Sequence, residues 1–369
     1  MKFKALEALR GLAAISVVLY HSNFVIRQKN LLFSNSAIFV DFFFILSGFI
    51  IAFAYLENIQ SGLRFKTFAL LRFGRLYPLH LFMLGVWLPY ILLKGYAYHV
   101  LDMHGVKDPF VNNNISSFIS NLLLINSLGV NSSLSWNYPA WSISVEFFTY
   151  IVFFGFMKTL NGSFKGSYAL AISIVAYGIL YMKSGHSMLR TFDLGMVRCV
   201  GGFFLGVFIF SVNKALRFDI SKNVSSTIEV LVVGIMFFLV LNSNQSKALQ
   251  LLTFVLFGFV VLVFSLSEKG ILSRVLGTKF MVLLGTLSYS IYMVHAIIIG
   301  MVGNVWQYVL KMHTSVLANQ GDHAIKLFVT PYAPLLNTGL VAVVIGVSFL
   351  TYTYIEKPWR DKFRKLAKQ

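Results

Sequence analysis

Hydrophobic residues in this sequence fall into repeated blocks of 17 to 21 residues, separated by short polar or basic segments. About 20 apolar residues in a helix are needed to cross the hydrocarbon core of a bilayer. The blocks lack a strict alternation of apolar and polar positions, which excludes a membrane β-barrel. The pattern predicts an all-α, polytopic membrane protein with about ten transmembrane helices, at 9–26, 37–56, 76–94, 139–158, 167–183, 194–212, 226–242, 248–266, 282–302 and 335–355.

The segments outside these spans are short, and we expect a single transmembrane domain over residues 1–369. Two longer segments, 95–138 and 303–334, fall on the same predicted side of the membrane, where we expect them to cover or line an entrance. In the third span, Pro78 and Pro89 interrupt the helical pattern, so its limits are the least defined. No internal repeat of the kind found in many secondary transporters is visible.

Composition supports a membrane protein, since 57% of the 369 residues are hydrophobic and 12% are charged. The net charge of +18 has a simple topological explanation, because 21 of the 31 Lys and Arg residues fall in alternate inter-span segments. The positive-inside bias therefore predicts that both termini are cytoplasmic. Basic residues also favour contact with an anionic lipid bilayer, and no aromatic platform or groove for nucleic acid is evident, so we expect no nucleic-acid partner.

Several kinds of site are not indicated. The start "MKFKALEALRG" is similar to a signal peptide, but no small-residue cleavage site follows, which favours a retained first helix. Cys199 is the single cysteine and cannot form a disulfide within the chain. The histidines show neither an i, i+4 pair nor H-E-x-x-H spacing, so no metal site is expected.

The first span carries two costly groups, Arg10 and His21, eleven positions apart. Eleven residues are about three helical turns, so both side chains project from one face, separated by roughly 16 Å along the axis. Arg10 could be an interfacial anchor whose charge reaches water. His21 lies deeper and needs a polar partner, and it is either a satisfied structural residue or a catalytic base.

Two further titratable residues reach a similar predicted depth, Glu146 in "YPAWSISVEFFTY" and His295 in "LLGTLSYSIYMVHAIII". A carboxylate beside an imidazole can fix the tautomer of the ring and raise its basicity. The alternative for Glu146 is a structural ion pair, with Arg198 as a candidate partner. Both interpretations stay open on the sequence.

The predicted cytoplasmic loop "LLRFGRLYPLH" carries Arg72 and Arg75 three residues apart. On a helical turn the two guanidinium groups face the same way and can bind phosphate groups. The alternative is that they simply follow the positive-inside bias.

Seven stretches stand in the order of the motifs of one family: "LEALRGLAAISVVLYH", "VDFFFILSGFIIA", "RFGRLYPLH", "PAWSISVEFFTYI", "RCVGGFFLG", "LGTLSYSIYMVHA" and "TYTYIEKPWRDKF". From residue 5 to residue 363, the chain resembles the acyltransferase-3 family of integral membrane O-acyltransferases. The resemblance implies transfer of an acyl group, most commonly acetyl from acetyl-coenzyme A, to a hydroxyl of a carbohydrate such as an exopolysaccharide or a lipopolysaccharide O-antigen. It also implies location in the bacterial inner membrane and, because the chain ends soon after the last motif, the form without an appended hydrolase-like domain.

The resemblance assigns roles to single positions. The paired arginine and histidine of the family's first span fall on Arg10 and His21, both expected to be essential, and the acidic residue of its tryptophan-serine motif falls on Glu146. The Arg-x-x-Arg pair that is thought to engage the acyl-coenzyme A donor falls on Arg72 and Arg75. The expected site is thus catalytic His21, Glu146 and Arg10 with donor-binding Arg72 and Arg75.

Chemistry at His21 has two possible routes. The imidazole could deprotonate the acceptor hydroxyl as that hydroxyl attacks the thioester, or it could carry the acyl group as an acyl-imidazole.

A different hypothesis is a transporter of a small solute or acyl group, in which buried His and Glu relay protons. A third, an inert membrane scaffold, is disfavoured by titratable groups at each motif position.

Overall fold

A computed structural model describes residues 3–25, 31–103, 107–160, 164–216, 221–311, 315–320 and 323–369. Fourteen α-helices form most of these residues: α1 Lys4–His21, α2 Leu31–Ser34, α3 Phe39–Gln60, α4 Phe65–His99, α5 Ile115–Leu122, α6 Trp141–Thr159, α7 Gly166–Lys183, α8 Gly195–Ala215, α9 Lys222–Asn242, α10 Lys247–Leu266, α11 Ile271–Leu276, α12 Lys279–Asn304, α13 Ala333–Thr351 and α14 Lys357–Leu366. Three short strands accompany them: β1 Phe24–Val25, β2 Ser315–Gln320 and β3 His323–Val329.

The prediction of an all-α polytopic membrane protein is confirmed. Nine helices in the described part of the chain are long and apolar enough to cross a membrane. The helix α1, with 18 residues, is not among the nine because Lys4, Glu7 and Arg10 interrupt its apolar surface. Counting α1, these helices correspond one to one with the ten predicted spans.

Two spans differ from their predicted limits by more than four residues. The first was predicted at 9–26, but α1 covers Lys4–His21, which places His21 at the end of the helix and Arg10 two turns inside it. The third was predicted at 76–94, but α4 runs unbroken through Pro78 and Pro89 over 35 residues. Neighbouring helices can support the turns that proline weakens, and the hydroxyl of Tyr289 donates to the carbonyl of Leu76 at 2.5 Å.

Helices α1 and α12 pack side by side and run in the same direction. Their backbones approach closely at Gly11 and Gly285, because a Cβ on Gly11 would lie 2.5 Å from the Gly285 nitrogen. A Cβ on Gly285 would overlap the carbonyl of Glu7. Small residues permit such contact between membrane helices, and this contact aligns the polar groups of α1 with those of α12.

The chain leaves α1 directly into a small three-stranded sheet of order β1-β3-β2, which the helical pattern did not predict. Strand β1 pairs with β3 in parallel, and β3 pairs with β2 in antiparallel orientation. Asn337 of α13 fixes the turn after His21, since its side chain accepts from the Ser22 hydroxyl at 2.5 Å and donates to the Phe24 carbonyl at 3.1 Å. The end of α1 is thereby held in place.

Candidate active site

The contact between α1 and α12 carries polar pairs at two levels. Near the start of α1, Arg10 bonds Ser288, and at the end of α1, His21 lies against His295. The prediction that Arg10 and His21 share one face of the first helix is therefore confirmed, since both reach the same neighbouring helix. About three helical turns separate the two levels.

The two histidines form a hydrogen-bonded pair. His295 Nε2 lies 3.2 Å from His21 Nδ1, and the ring of His295 is fully buried. His295 Nδ1 is 2.7 Å from the carbonyl of Tyr292, and His21 Nδ1 is 3.0 Å from the carbonyl of Val17. Because a carbonyl oxygen only accepts, each Nδ1 must carry a proton.

These contacts determine where the lone pairs lie. His295, protonated at Nδ1, accepts through Nε2 the proton that His21 Nδ1 shares with the Val17 carbonyl. His21 is then the tautomer with its lone pair on Nε2. That is the tautomer a general base requires, with Nδ1 oriented by the protein and the lone pair that takes up a proton on Nε2.

Aromatic rings surround His21. The ring of Tyr20 lies 4.7 Å and the ring of Tyr138 lies 5.1 Å from the His21 ring, centroid to centroid. Tyr138 stands in the 3-10 turn Tyr138–Ala140 that leads into α6, at the end of the segment 95–138. Ser142, the serine of the tryptophan-serine motif, donates to the hydroxyl of Tyr292 at 2.9 Å and so supports the turn that carries His295.

Arg10 bonds partners on both helices near the other end of this contact. Its Nε donates to Ser288 Oγ at 2.7 Å, and its Nη2 contacts the Glu7 carboxylate at 2.5 Å and the Gly285 carbonyl at 2.8 Å. The side chain thus joins α1 to α12, and 26% of it is exposed.

Arg75 lies in the same region, from α4. It forms an ion pair with Glu356, whose other oxygen accepts from Ser290 at 2.8 Å. The guanidinium of Arg75 also lies 5.3 Å from the ring centroid of Tyr289. The carboxylate of Glu356 is almost completely buried, so it neutralises Arg75 inside the protein.

Arg72, one helical turn before Arg75, has different partners. Its Nη2 donates to the Tyr55 hydroxyl at 2.6 Å, and its guanidinium lies 4.8 Å from the Tyr55 ring and 5.9 Å from the Tyr150 ring. Its Nε is buried and has no hydrogen-bond partner among the described residues. Arg72 and Arg75 lie inside α4 and not in a loop. The Nε–H of Arg72 can still donate a hydrogen bond to a ligand.

Glu146 is positioned by α3 and by its own helix. Its carboxylate accepts from Ser47 at 2.6 Å and from the Tyr150 hydroxyl at 2.5 Å. The partner of His21 is therefore His295, and Glu146 is linked through Tyr150 towards Arg72. Of the two residues expected beside His21, His295 contacts it. Glu146 instead contacts Ser47 and Tyr150.

The suggested ion pair between Glu146 and Arg198 is wrong. Arg198 binds Asp41 through two hydrogen bonds of 2.9 Å and 2.7 Å, with the Asp41 side chain 0% and the Arg198 side chain 2% exposed. Its third nitrogen donates to the Arg190 carbonyl, and its guanidinium lies 5.3 Å from the Trp141 ring. This pair fixes α3 against α8 at the start of both helices.

Sequence reasoning left four contributors to the site unassigned: Asp41, Ser288, Glu356 and Arg360. A signal was present for the carboxylates, since ionisable residues in or beside an apolar span are costly and carry a partner. Which partner each one takes depends on how the helices are rotated and packed, which hydropathy does not specify. Among the described residues, no group of three or more His, Cys, Asp or Glu side chains lies close enough together to hold a metal ion.

Comparison with known proteins decides the family. The model of the family described as "Acyltransferase domain" matches residues 3–355. The chain belongs to this family. It is accordingly a multi-pass membrane acyltransferase.

Two curated relatives show the same relationship. The chain is 31% identical over 152 residues to "Protein 2 in picA locus" of Rhizobium radiobacter, an alignment that covers 39% of this chain and 77% of that protein. It is 25% identical over 340 residues to "Peptidoglycan O-acetyltransferase OatA" of Listeria monocytogenes, covering 84% of this chain and 52% of that protein. The chain thus spans about half the length of the peptidoglycan O-acetyltransferase. No solved structure matches the chain at a significant level.

Proposed function

We propose that this acyltransferase moves an acyl group, acetyl in the first instance, from acyl-coenzyme A to a hydroxyl group of a carbohydrate, with His21 as the general base. The observation that carries the proposal is the pairing of His21 with His295, which leaves the lone pair of His21 on Nε2. The proposal agrees with the name of the Listeria relative, which is an O-acetyltransferase.

In the proposed reaction the acceptor hydroxyl gives its proton to His21 Nε2 while its oxygen attacks the thioester carbonyl carbon. The carbon–sulfur bond then breaks, and the departing sulfur takes the proton from the His21 imidazolium, releasing the thiol of coenzyme A. His21 returns to its starting tautomer. His295 accepts from His21 Nδ1 throughout and keeps the ring oriented, so it is a positioning residue in this scheme.

The donor is expected to bind from the side of Arg10, Arg72 and Arg75. The Nε of Arg72 is buried and has no partner in the part of the chain that the structure describes, which suits an incoming phosphate or carbonyl oxygen. Arg75 is paired with Glu356, and the charges of Arg10 and Arg360 act on it. A cluster of guanidinium groups of this kind fits a polyanionic donor such as acetyl-coenzyme A.

Glu146 and Arg10 complete the proposed site. Glu146 holds the Tyr150 hydroxyl, and the Tyr150 ring lies beside Arg72, so we assign Glu146 to the donor side of the site. Arg10 joins α1 to α12 at the level of Ser288 and so sets the distance between the arginine cluster and His21.

The acceptor is expected to approach from the opposite side, where α1 ends at His21 and the Tyr20 and Tyr138 rings lie. Aromatic rings are suited to the apolar faces of sugar rings. We propose an acceptor presented outside the bacterial inner membrane, such as an exopolysaccharide or a lipopolysaccharide O-antigen. The predicted cytoplasmic location of both termini gives the orientation that this proposal needs.

The test uses the purified protein in lipid nanodiscs with radiolabelled acetyl-coenzyme A and a glycan fraction prepared from the source bacterium. Release of one coenzyme A thiol for each label that enters alkali-labile ester on the glycan supports the proposal. Label that crosses the membrane of a proteoliposome without thiol release would instead support the transport hypothesis.

A further inference from the structure

The last helix, α14, contributes an arginine to the cluster around Arg75. Arg360 stands in the first turn of α14, one turn after Glu356, which ends a π-helical turn at Tyr352–Glu356. Helix α14 packs on α4, with the rings of Phe363 and Phe73 5.7 Å apart. Turns of π-helix are uncommon and are frequently found at functional sites, and this one directs both Glu356 and Arg360 towards Arg75.

The hydrogen-bonding capacity of Arg360 is largely unused. Its Nε is buried and has no hydrogen-bond partner in the described part of the chain. Its Nη2 lies 3.5 Å from the Tyr352 hydroxyl, and its Nη1 lies 4.0 Å from the Glu356 carboxylate. The neighbouring carboxylate of Asp361 is 3.8 Å from Nε and about half exposed. By contrast, Arg10 and Arg75 are each hydrogen-bonded to a carboxylate.

The distribution of charge also indicates that Arg360 can accept a further anionic partner. Glu7 binds Arg10 and Glu356 binds Arg75, so the two inner carboxylates are already engaged by other arginines. Among the described residues, Arg360, like Arg72, has no carboxylate within hydrogen-bond distance, and the nearest carboxylates, of Glu356 and Asp361, lie 4.0 Å and 3.8 Å from it. The Arg360 side chain is 20% exposed, so its charge is only partly solvated, and an anion within hydrogen-bond distance would stabilise it further.

We propose that Arg360 binds a phosphate group of the acyl donor, as a third phosphate-binding arginine beside Arg72 and Arg75. This inference rests on the proposed function, which makes coenzyme A the donor. Arg360 stands in the stretch "TYTYIEKPWRDKF", but that resemblance assigns no role to it, and the family model matches residues 3–355 only. An alternative source of the phosphate is a lipid headgroup, but the Arg360 side chain is 20% exposed and is turned towards Glu356, whereas Arg364 is 60% exposed on the same helix.

The experiment measures binding of coenzyme A, and of dephospho-coenzyme A, to the purified protein in lipid-free detergent by isothermal titration calorimetry. Arg360→Gln should weaken coenzyme A binding about tenfold, the loss expected for a partly exposed, charge-assisted hydrogen bond. It should also flatten the dependence of the dissociation constant on salt concentration. Arg360→Lys, which keeps the charge, should recover part of the affinity. The matched control is Arg364→Gln, one turn further along α14, which should bind as the wild type does.

The outcomes separate this inference from the proposal on which it rests. If the wild-type protein does not bind coenzyme A, the proposed donor is wrong. If the wild-type binds it and Arg72→Gln weakens binding while Arg360→Gln behaves like Arg364→Gln, the donor proposal stands and the assignment of Arg360 is overturned. The assignment is also overturned if Arg360→Gln reduces only the thermal stabilisation of the protein by anionic phospholipid vesicles. A melting temperature within a few degrees of the wild type shows that the variant is folded, and Arg360→Lys serves as the test if it is not.

Discussion

Replacement of His295 tests whether this residue orients His21 or performs the chemistry itself. His295→Leu keeps an apolar side chain of comparable size in a fully buried position but removes the Nε2 acceptor 3.2 Å from His21 Nδ1. His21 then retains one partner for its Nδ1 proton, the Val17 carbonyl at 3.0 Å. The tautomer is therefore preserved, while the orientation of the ring is held less firmly.

The expected loss follows from the single hydrogen bond removed. One neutral hydrogen bond contributes about 0.5–1.5 kcal/mol, which corresponds to a decrease in kcat of about 2- to 13-fold. Loss of a general base costs about 100- to 10,000-fold. His295→Leu should therefore remain clearly more active than any His21 variant, and His295→Gln, whose side-chain oxygen can accept in place of Nε2, should be closer to the wild type.

The assay is the initial rate of coenzyme A thiol release at saturating acetyl-coenzyme A and glycan, measured at equal protein concentrations, with the melting temperature used to check that each variant is folded. If a folded His295→Leu variant were as inactive as His21→Gln, His295 would not be a positioning residue only. That result would mean that His295 exchanges a proton or the acyl group during the reaction.

Three further predictions concern the surroundings of the histidine pair. Glu146→Gln weakens two charge-assisted hydrogen bonds on the donor side, so kcat/KM for acetyl-coenzyme A should fall by about fivefold, chiefly through KM in steady-state kinetics. Asp41→Asn leaves a buried arginine charge without its partner and should cost about 3–5 kcal/mol of stability in denaturation experiments, whereas Asp41→Leu combined with Arg198→Met should recover most of it. Gly285→Ala should lower both melting temperature and activity, because its Cβ would overlap the Glu7 carbonyl, while Gly346→Ala, which has open space, should change neither.

Hydropathy predicts the helices well where they face lipid. The span predicted at 167–183 is found as Gly166–Lys183, and that predicted at 248–266 as Lys247–Leu266. The prediction was offset for α1 because Arg10, a charged residue inside the helix, is bound by the neighbouring helix α12. Hydropathy reports the cost of a charge in lipid, and it does not detect a partner that removes this cost.

The site was predicted as far as one helix could reveal it. The spacing of Arg10 and His21 on a 3.6-residue period is a property of α1 alone, and the contacts with Ser288 and His295 confirm it. The sequence predicts how deep a residue lies along its helix, but not which way the helix is rotated about its axis. Glu146 was therefore predicted at the level of His21, whereas its side chain contacts Ser47 and Tyr150. The contact of His295 with His21 depends on the close packing of α1 on α12, which the sequence does not reveal.

The small sheet and the pairing of Arg75 with Glu356 had no signal within a single segment of the sequence. Strands β1 and β3 lie about 300 residues apart and pair over two residues only, Phe24 with Phe328 and Val25 with Val329. Glu356 and Arg75 are 281 positions apart, and their pairing depends on α14 folding back on α4. Such long-range pairs are determined by the assembled bundle.

The role of His21 as the base for acyl transfer is tested by the content of alkali-labile acetyl ester in surface glycans. A deletion strain is complemented with wild-type protein or with His21→Gln, at equal membrane levels of the two proteins. Glutamine approximates the size of the imidazole but cannot take up a proton, so the comparison isolates the chemistry. The wild type should restore the acetyl ester, and His21→Gln should restore none. Acetylation by His21→Gln at the wild-type level would show that His21 is not the base.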